Sequence, residues 1–247
     1  MALLDLHSLL FLALMALCTG FIKGGMPGLG PLLAASVALW FPSRDALGIT
    51  LVLFLIGDSA AVFLYWRLAN WRELSRMLVP LIVGIAIGAL VLRGLDNHTL
   101  GLVIGVLVLM LVGLEPLRPQ LTRWALANPQ VARASSGTLA GLATTISNSA
   151  GPILSIYFLV LNLDKRTFIG TASMFFAFAN LAKLPIFIGQ DVFQWHYVPS
   201  ILLVAPLVYV GAFGGRVFLE WISQLWFNRV VLILTAVAGV TLIINNL

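Results

Sequence analysis

Apolar runs recur along the chain from Leu6 to Leu247, separated only by short polar breaks. Ten segments can be read, at 6–22, 31–41, 46–66, 77–93, 99–114, 135–146, 152–162, 168–189, 197–215 and 226–245. Such a chain cannot build a water-facing surface. Of its residues 61% are hydrophobic and 9% charged, against roughly 25% charged in a soluble domain. The expected fold is all-α and polytopic, one membrane domain over 1–247 with the lipid bilayer as its surroundings. No stretch is left over for a catalytic head outside the membrane.

The remaining composition excludes several function classes. A net charge of +5 comes from Lys and Arg scattered singly through short loops, so no basic patch exists for a nucleic acid. Cys18 is the single cysteine and lies in an apolar segment, which rules out a disulfide scaffold or a cysteine metal site. His7, His98 and His196 sit near segment ends without a pairing at helical spacing, so neither a metal nor another cofactor is expected. No His-Glu-x-x-His, Gly-x-Ser-x-Gly or phosphate-loop sequence occurs, which argues against an enzyme, an ATP-driven pump or an intramembrane protease. The first segment carries Asp5 and His7 rather than a basic leader, with no small-x-small cleavage site. It is expected to belong to the fold.

Self-similarity divides the chain. A shift of 121 aligns Gly20 with Gly141, Gly30 with Gly151, Pro31 with Pro152 and Leu33 with Leu154. After one extra loop residue, a shift of 122 aligns Gly48 with Gly170, Phe54 with Phe176, Asp58 with Asn180 and Ala60 with Ala182. Two repeats are therefore expected, 6–114 and 135–245, joined by a cytoplasmic linker at 115–134. Segments 135–146 and 152–162 would reach only about 18 and 17 Å at 1.5 Å per residue, short of a hydrocarbon core of about 30 Å. They suit a re-entrant hairpin, and 6–22 with 31–41 suits another. The tip of that first hairpin, Lys23-Gly24-Gly25-Met26-Pro27-Gly28-Leu29-Gly30, is expected to be non-helical.

Loop charges discriminate between topologies. If each hairpin counted as one crossing, six basic residues would fall on each side. If each returns to the side it entered, Arg67, Arg72, Arg76, Arg118, Arg123, Arg133, Lys165, Arg166, Arg216 and Arg229 share the cytoplasmic side. Only Arg44 and Arg93 then face outward, the asymmetry expected of a positive-inside membrane protein. Three full crossings after each hairpin invert the second repeat relative to the first. Both tips then approach the bilayer midplane, and both termini lie outside the cytoplasm.

Irregular backbone at membrane depth must be buried or line an aqueous cavity, which makes the tips the candidate binding site. The first offers Lys23, Gly24, Gly25, Met26, Pro27, Gly28 and Gly30, and the second Thr145, Ser147, Asn148, Ser149 and Gly151. Each tip precedes a proline-started helix whose free N–H groups attract anions, and Lys23 adds a full positive charge. The same features admit other roles. Gly20, Gly24 and Gly28 form a small-residue row suited to helix packing, and Ser147, Asn148 and Ser149 could cap a helix. Asp58, Asn180 and Lys183 lie inside long crossings, where ionisable groups mark pathways or pairs. They are candidates for coupling or gating, with Asp58 able to pair with Lys23 or Lys183, to bind a proton or to lock the fold.

The stretch Gly20-Phe21-Ile22 with the Gly-rich 24–30, the Ala46-x-Gly48-Ile49-Thr50 element, and the regions 141–152 and 167–171 together resemble the TauE/SafE family of sulfite and organosulfonate transporters. The resemblance implies a carrier in the bacterial inner membrane, exporting a small anion such as sulfite or sulfoacetate. A homodimer is compatible with it. A passive anion channel and a non-transporting membrane scaffold are the alternative readings.

Overall fold

The computed structural model describes residues 4–25, 29–161, 163–218 and, near the C-terminus, 233, 236, 237, 240, 241 and 243–245. Met26, Pro27, Gly28, Trp221, Trp226 and most of the expected segment 226–245 lie outside the described residues.

Among the described residues there are helices and no strands. In chain order they are α1 (Leu6–Gly25), α2 (Gly30–Ala38), α3 (Ser43–Tyr65), α4 (Trp71–Arg93), α5 (Asn97–Gly113), α6 (Arg118–Ala127), α7 (Pro129–Ser147), α8 (Gly151–Val160), α9 (Lys165–Gly189) and α10 (Val198–Phe218). Five stretches are long and apolar enough to cross a membrane: Leu6–Gly25, Ser43–Leu68, Trp71–Arg93, Arg166–Gly189 and Trp195–Phe218. Large apolar side chains stand exposed on the outer faces of α4 (Val79, Ile82, Leu90) and α10 (Leu202, Val210, Phe213), a surface that only lipid tails can solvate.

Short polar residues set where helices start. Asn70 accepts from the Glu73 N–H, Asp96 from Thr99, and Asp164 from Arg166 and Thr167, each satisfying amides that a helix start leaves free. Those bonds, chiefly from Thr99 and Thr167, hold the exposed Asp96 and Asp164 carboxyls below the usual carboxylate range.

Two helix pairs approach at backbone contact, because without a hydrophobic driving force helices in lipid associate through close packing. Helix α1 runs parallel to α10. A Cβ on Gly20 would collide with the Val208 carbonyl, one on Gly24 with that of Ala212, and one on Gly211 with that of Leu17. Helix α7 runs parallel to α4 in the same manner, with Gly141 against the Leu81 carbonyl and Gly84 against that of Thr138. One apolar core joins α4, α7, α8 and α9, a second joins α1, α2, α3 and α10, and a third bridges α3, α5, α7 and α9.

The short helices α2 and α8 fold back beside their predecessors. After α2, Trp40 stacks on Phe11 at 4.7 Å and its Nε1 donates to Ser8 Oγ at 3.1 Å, close to where α1 begins. From α8, the Tyr157 hydroxyl donates to Glu73 Oε1, which also takes Arg133 Nε from the start of α7, both at 2.5 Å.

The largest departures from the expected boundaries fall at α4, α7 and α1, with α4 starting at Trp71 rather than 77. Helix α7 begins at Pro129 rather than 135, so its 19 residues extend about 28 Å and reach most of the way across. Hydropathy misses its first turns because Gln130, Arg133, Ser135 and Ser136 are polar yet tolerated in a helix, and Glu73 anchors Arg133. The linker 115–134 holds α6 and the start of α7. Helix α1 continues through Lys23, Gly24 and Gly25, which corrects the expectation that this stretch is irregular. Close contact with Ala212 and Gly215 of α10 offsets the weak helix propensity of glycine.

Arg44, at the start of α3, ties the opposite end of the bundle. Its guanidinium donates to the carbonyls of Leu92 in the last turn of α4, of Leu95 just beyond it and of Gln190 after α9, where helix ends leave carbonyls with capacity to accept. Arg44→Ala is expected to lower stability by about 2 kcal/mol, since hydrogen bonds to charged groups contribute about 1.5–3 kcal/mol. Thermal unfolding in detergent measures it.

Candidate anion site

Helices α3 and α9 cross with polar groups facing each other in an otherwise apolar interior. Asp58 is 3% exposed and Asn180 fully buried, and Asn180 Nδ2 donates to Asp58 Oδ2 at 2.6 Å. The other carboxylate oxygen accepts from Lys23 Nζ of α1 at 2.5 Å. Lys23 is 4% exposed, and its ammonium lies 4.4 Å from the ring centre of Phe54 and 4.9 Å from that of Phe176. One carboxylate and two aromatic faces therefore offset the desolvation of this cation.

A second amine stands one turn along α9 from Asn180. Lys183 has no exposed surface, and its Nζ donates to the Thr144 carbonyl and Thr144 Oγ1, each at 3.0 Å, and to Asn148 Oδ1 at 2.7 Å. Three acceptors around the nitrogen match the three donors of an ammonium group. They lie at the C-terminal end of α7, where the helix dipole favours a cation. No carboxylate contacts Lys183 among the described residues.

Asn148 closes α7. It adopts φ 54°, a left-handed conformation that asparagine tolerates, and the following Ser149 N–H reaches back to the Ala143 carbonyl at 3.3 Å, ending the helix as a glycine cap would. The turn brings the two tips together: a Cβ on Gly30, at the start of α2, would lie 2.8 Å from the Asn148 carbonyl. Helix α2 has no side-chain cap at this end. Among the described residues, Asn148 Nδ2 and Asn180 Oδ1 are buried without a hydrogen-bond partner, and such groups are rare unless something else satisfies them.

The residues proposed from sequence thus sort themselves. Lys23, Asp58, Asn180, Lys183 and Asn148 form the buried polar cluster. The hydroxyls of Thr145, Ser147 and Ser149 donate to the carbonyls of Gly141, Ala143 and Ser147, so their protons are committed to the local backbone. Gly24 and Gly25 face α10 and act as packing residues, Gly30 lies against the Asn148 carbonyl, and Gly151 begins α8. Met26, Pro27 and Gly28 are not described. Lys23 is held by Asp58, and Lys183 is the buried amine without a carboxylate partner among the described residues. The sequence reading left Thr144 of the second tip out of the binding set and took Phe54 and Phe176 only as repeat partners. Signals existed for all three, since the shift of 121 carries Lys23 onto Thr144 and the shift of 122 aligns the two phenylalanines.

Helices of membrane length, a lipid-facing apolar exterior and ionisable groups gathered in the interior define a multi-pass membrane protein of the transporting kind. Residues 12–242 match the family model described as Sulfite exporter TauE/SafE, and the chain belongs to that family. No curated protein and no solved structure matches it.

Proposed function

We propose that this protein is a secondary transporter that exports small sulfur oxyanions, such as sulfite, or organosulfonates, such as sulfoacetate, across the bacterial inner membrane. One observation carries the reading: two buried amines, Lys23 and Lys183, face one buried carboxylate, Asp58, beside the junction of Asn148 with Gly30. Two amines stand against one carboxylate, so the cluster can hold a positive charge when an anion is there to balance it. An anion supplies the countercharge, with the unpartnered Asn148 amide and the amides at the start of α2 as its donors and Lys183 joining them by exchanging one of its Thr144 bonds for the ligand.

In this reading α1–α2 and α7–α8 are re-entrant hairpins of two inverted repeats, entering from opposite sides. The return of Trp40 to Ser8 and of Tyr157 to Glu73 supports it, as do the matching glycine contacts of α1 with α10 and α7 with α4. Gly170 packs on Leu68, which keeps Arg67 and Arg166 at one end of the bundle, consistent with a cytoplasmic end rich in basic residues and termini on the far side. An interior-negative potential of about 100 mV drives each negative charge outward with about 2.3 kcal/mol, so export can proceed downhill.

Protein reconstituted in liposomes is expected to move sulfite or sulfoacetate with saturation. Lys183→Gln should lower the flux about 10- to 100-fold, the effect of losing about 1.5–3 kcal/mol from a charged hydrogen bond. Flux unchanged in both Lys183→Gln and Lys23→Ala would refute the site.

A further inference from the structure

Each of the two buried asparagines uses one end of its amide on a neighbour and leaves the other end over. Carboxylate oxygens accept, so Asn180 turns Nδ2 to Asp58 and keeps Oδ1 without a partner among the described residues. An amine donates, so Asn148 turns Oδ1 to Lys183 and keeps Nδ2 over. The other buried side-chain atoms in that condition belong to Thr50, Ser173 and Gln190, none of which is hydrogen-bonded to this cluster. Asn180 and Lys183 share one face of α9 with Phe176, at helical spacings of three and four. Phe54 links that face to the junction of the tips. Its ring carbons lie 3.7 and 3.8 Å from a Cβ placed on Gly30, and its ring centre lies 4.4 Å from Lys23 Nζ. The place where Asn148 meets Gly30 is therefore bordered by one unmatched donor and one unmatched acceptor.

An anion that only accepts answers half of this. Its oxygens take Asn148 Nδ2 and the amides at the start of α2, but they repel the Asn180 oxygen, and a buried acceptor left without a hydrogen is costly. A hydrogen on the ligand answers the other half. Resting on the transport reading above, we propose that the site selects anions that also donate: hydrogensulfite in its S–OH form, or a sulfonate bearing a hydroxyl group, with the O–H directed to Asn180 Oδ1 and the sulfur-bound oxygens to Asn148 Nδ2. Asn180 is then a specificity residue. Anions that only accept, the sulfite dianion and fully ionised sulfoacetate among them, bind less tightly. The preference is set by the two amides and needs no change of charge at Lys183 or Asp58.

Two sulfonates of equal charge and nearly equal size separate the outcomes. 2-Hydroxyethanesulfonate ends in a hydroxyl where propane-1-sulfonate ends in a methyl group, and the hydrophobic effect by itself favours the methyl. Binding to the detergent-solubilised full chain is measured by calorimetry at neutral pH. The hydroxy compound is expected to bind about 10- to 100-fold more tightly, since a site built around a buried acceptor rejects the ligand that lacks the hydrogen. Asn180→Leu should bring the ratio of the two affinities to about 1 or below, whereas a residue that only holds Asp58 in place would weaken both ligands alike. Lys23→Met/Asp58→Leu/Asn180→Leu, apolar at all three positions, replaces it where the single variant does not fold, with the same ratio expected. Equal affinity in the unaltered protein, tighter binding of propane-1-sulfonate, or binding of sulfite with neither sulfonate bound overturns the donor rule and leaves the transport reading standing. Failure of sulfite as well overturns the two together.

Discussion

Asp58→Ala is expected to destabilise the protein by about 3–5 kcal/mol, the usual consequence of leaving one member of a buried ion pair alone. Lys23 would keep its position between Phe54 and Phe176 but lose the carboxylate 2.5 Å away, and Asn180 would lose the acceptor of its amide. An exposed pair would change little, since surface ion pairs contribute about 0–1 kcal/mol; here both side chains are 4% exposed. The double substitution Lys23→Met with Asp58→Leu should recover most of the loss, because apolar replacement of a whole buried pair is often neutral or stabilising. Thermal melts of the unaltered protein, Lys23→Met, Asp58→Leu and the double variant in one detergent measure the coupling. Independent, additive effects of the two single changes would show that the pair does not stabilise the fold.

Gly20→Val and Gly141→Val are expected to be at least as damaging, each by about 3 kcal/mol or more. Overpacking by itself costs about 1–3 kcal/mol, but it assumes a side chain that can move aside. At these positions the added Cβ meets backbone, the Val208 carbonyl and Ala212 N–H for Gly20, the Leu81 carbonyl and Ile85 N–H for Gly141. Relief requires α1 to leave α10, or α7 to leave α4, along the whole contact. Gly214, on α10 itself, provides the comparison, since a Cβ there meets nothing within 4 Å. Gly214→Ala should stay neutral or gain up to about 1 kcal/mol from the lower entropy of the unfolded chain. Equal tolerance of all three in thermal melts would mean that the helix pairs are not locked by their glycines.

The helical segments were legible because apolar runs are a local property of the chain. Where the run and the helix part company, the reading slipped. The polar first turns of α7 were taken as linker because hydropathy reports affinity for lipid and not helix formation. The glycines after Lys23 were taken as a break because their propensity is weak, whereas contact with α10 keeps them helical. In the site, Asp58 and Asn180 were marked as equivalent by the 122-residue shift, and they are hydrogen-bonded to each other. Lys23, read as the anion's charge partner, is ion-paired with Asp58, one of the two pairings the sequence left open. The hydroxyls chosen beside Asn148 donate to their own helix, because serine and threonine at these positions find a carbonyl within one turn.

By itself the sequence determined that this chain lives in a membrane, roughly where its helices run, and that a few ionisable residues must be sheltered inside. Which of those residues meet was decided by the tertiary structure alone. Lys23 and Lys183 are both amines in apolar helices, and nothing in their neighbouring residues says which one Asp58 will take. That choice depends on how far each helix is rotated and how deep it sits beside the others. Close packing of glycine against backbone fixes both quantities, and no single segment encodes them.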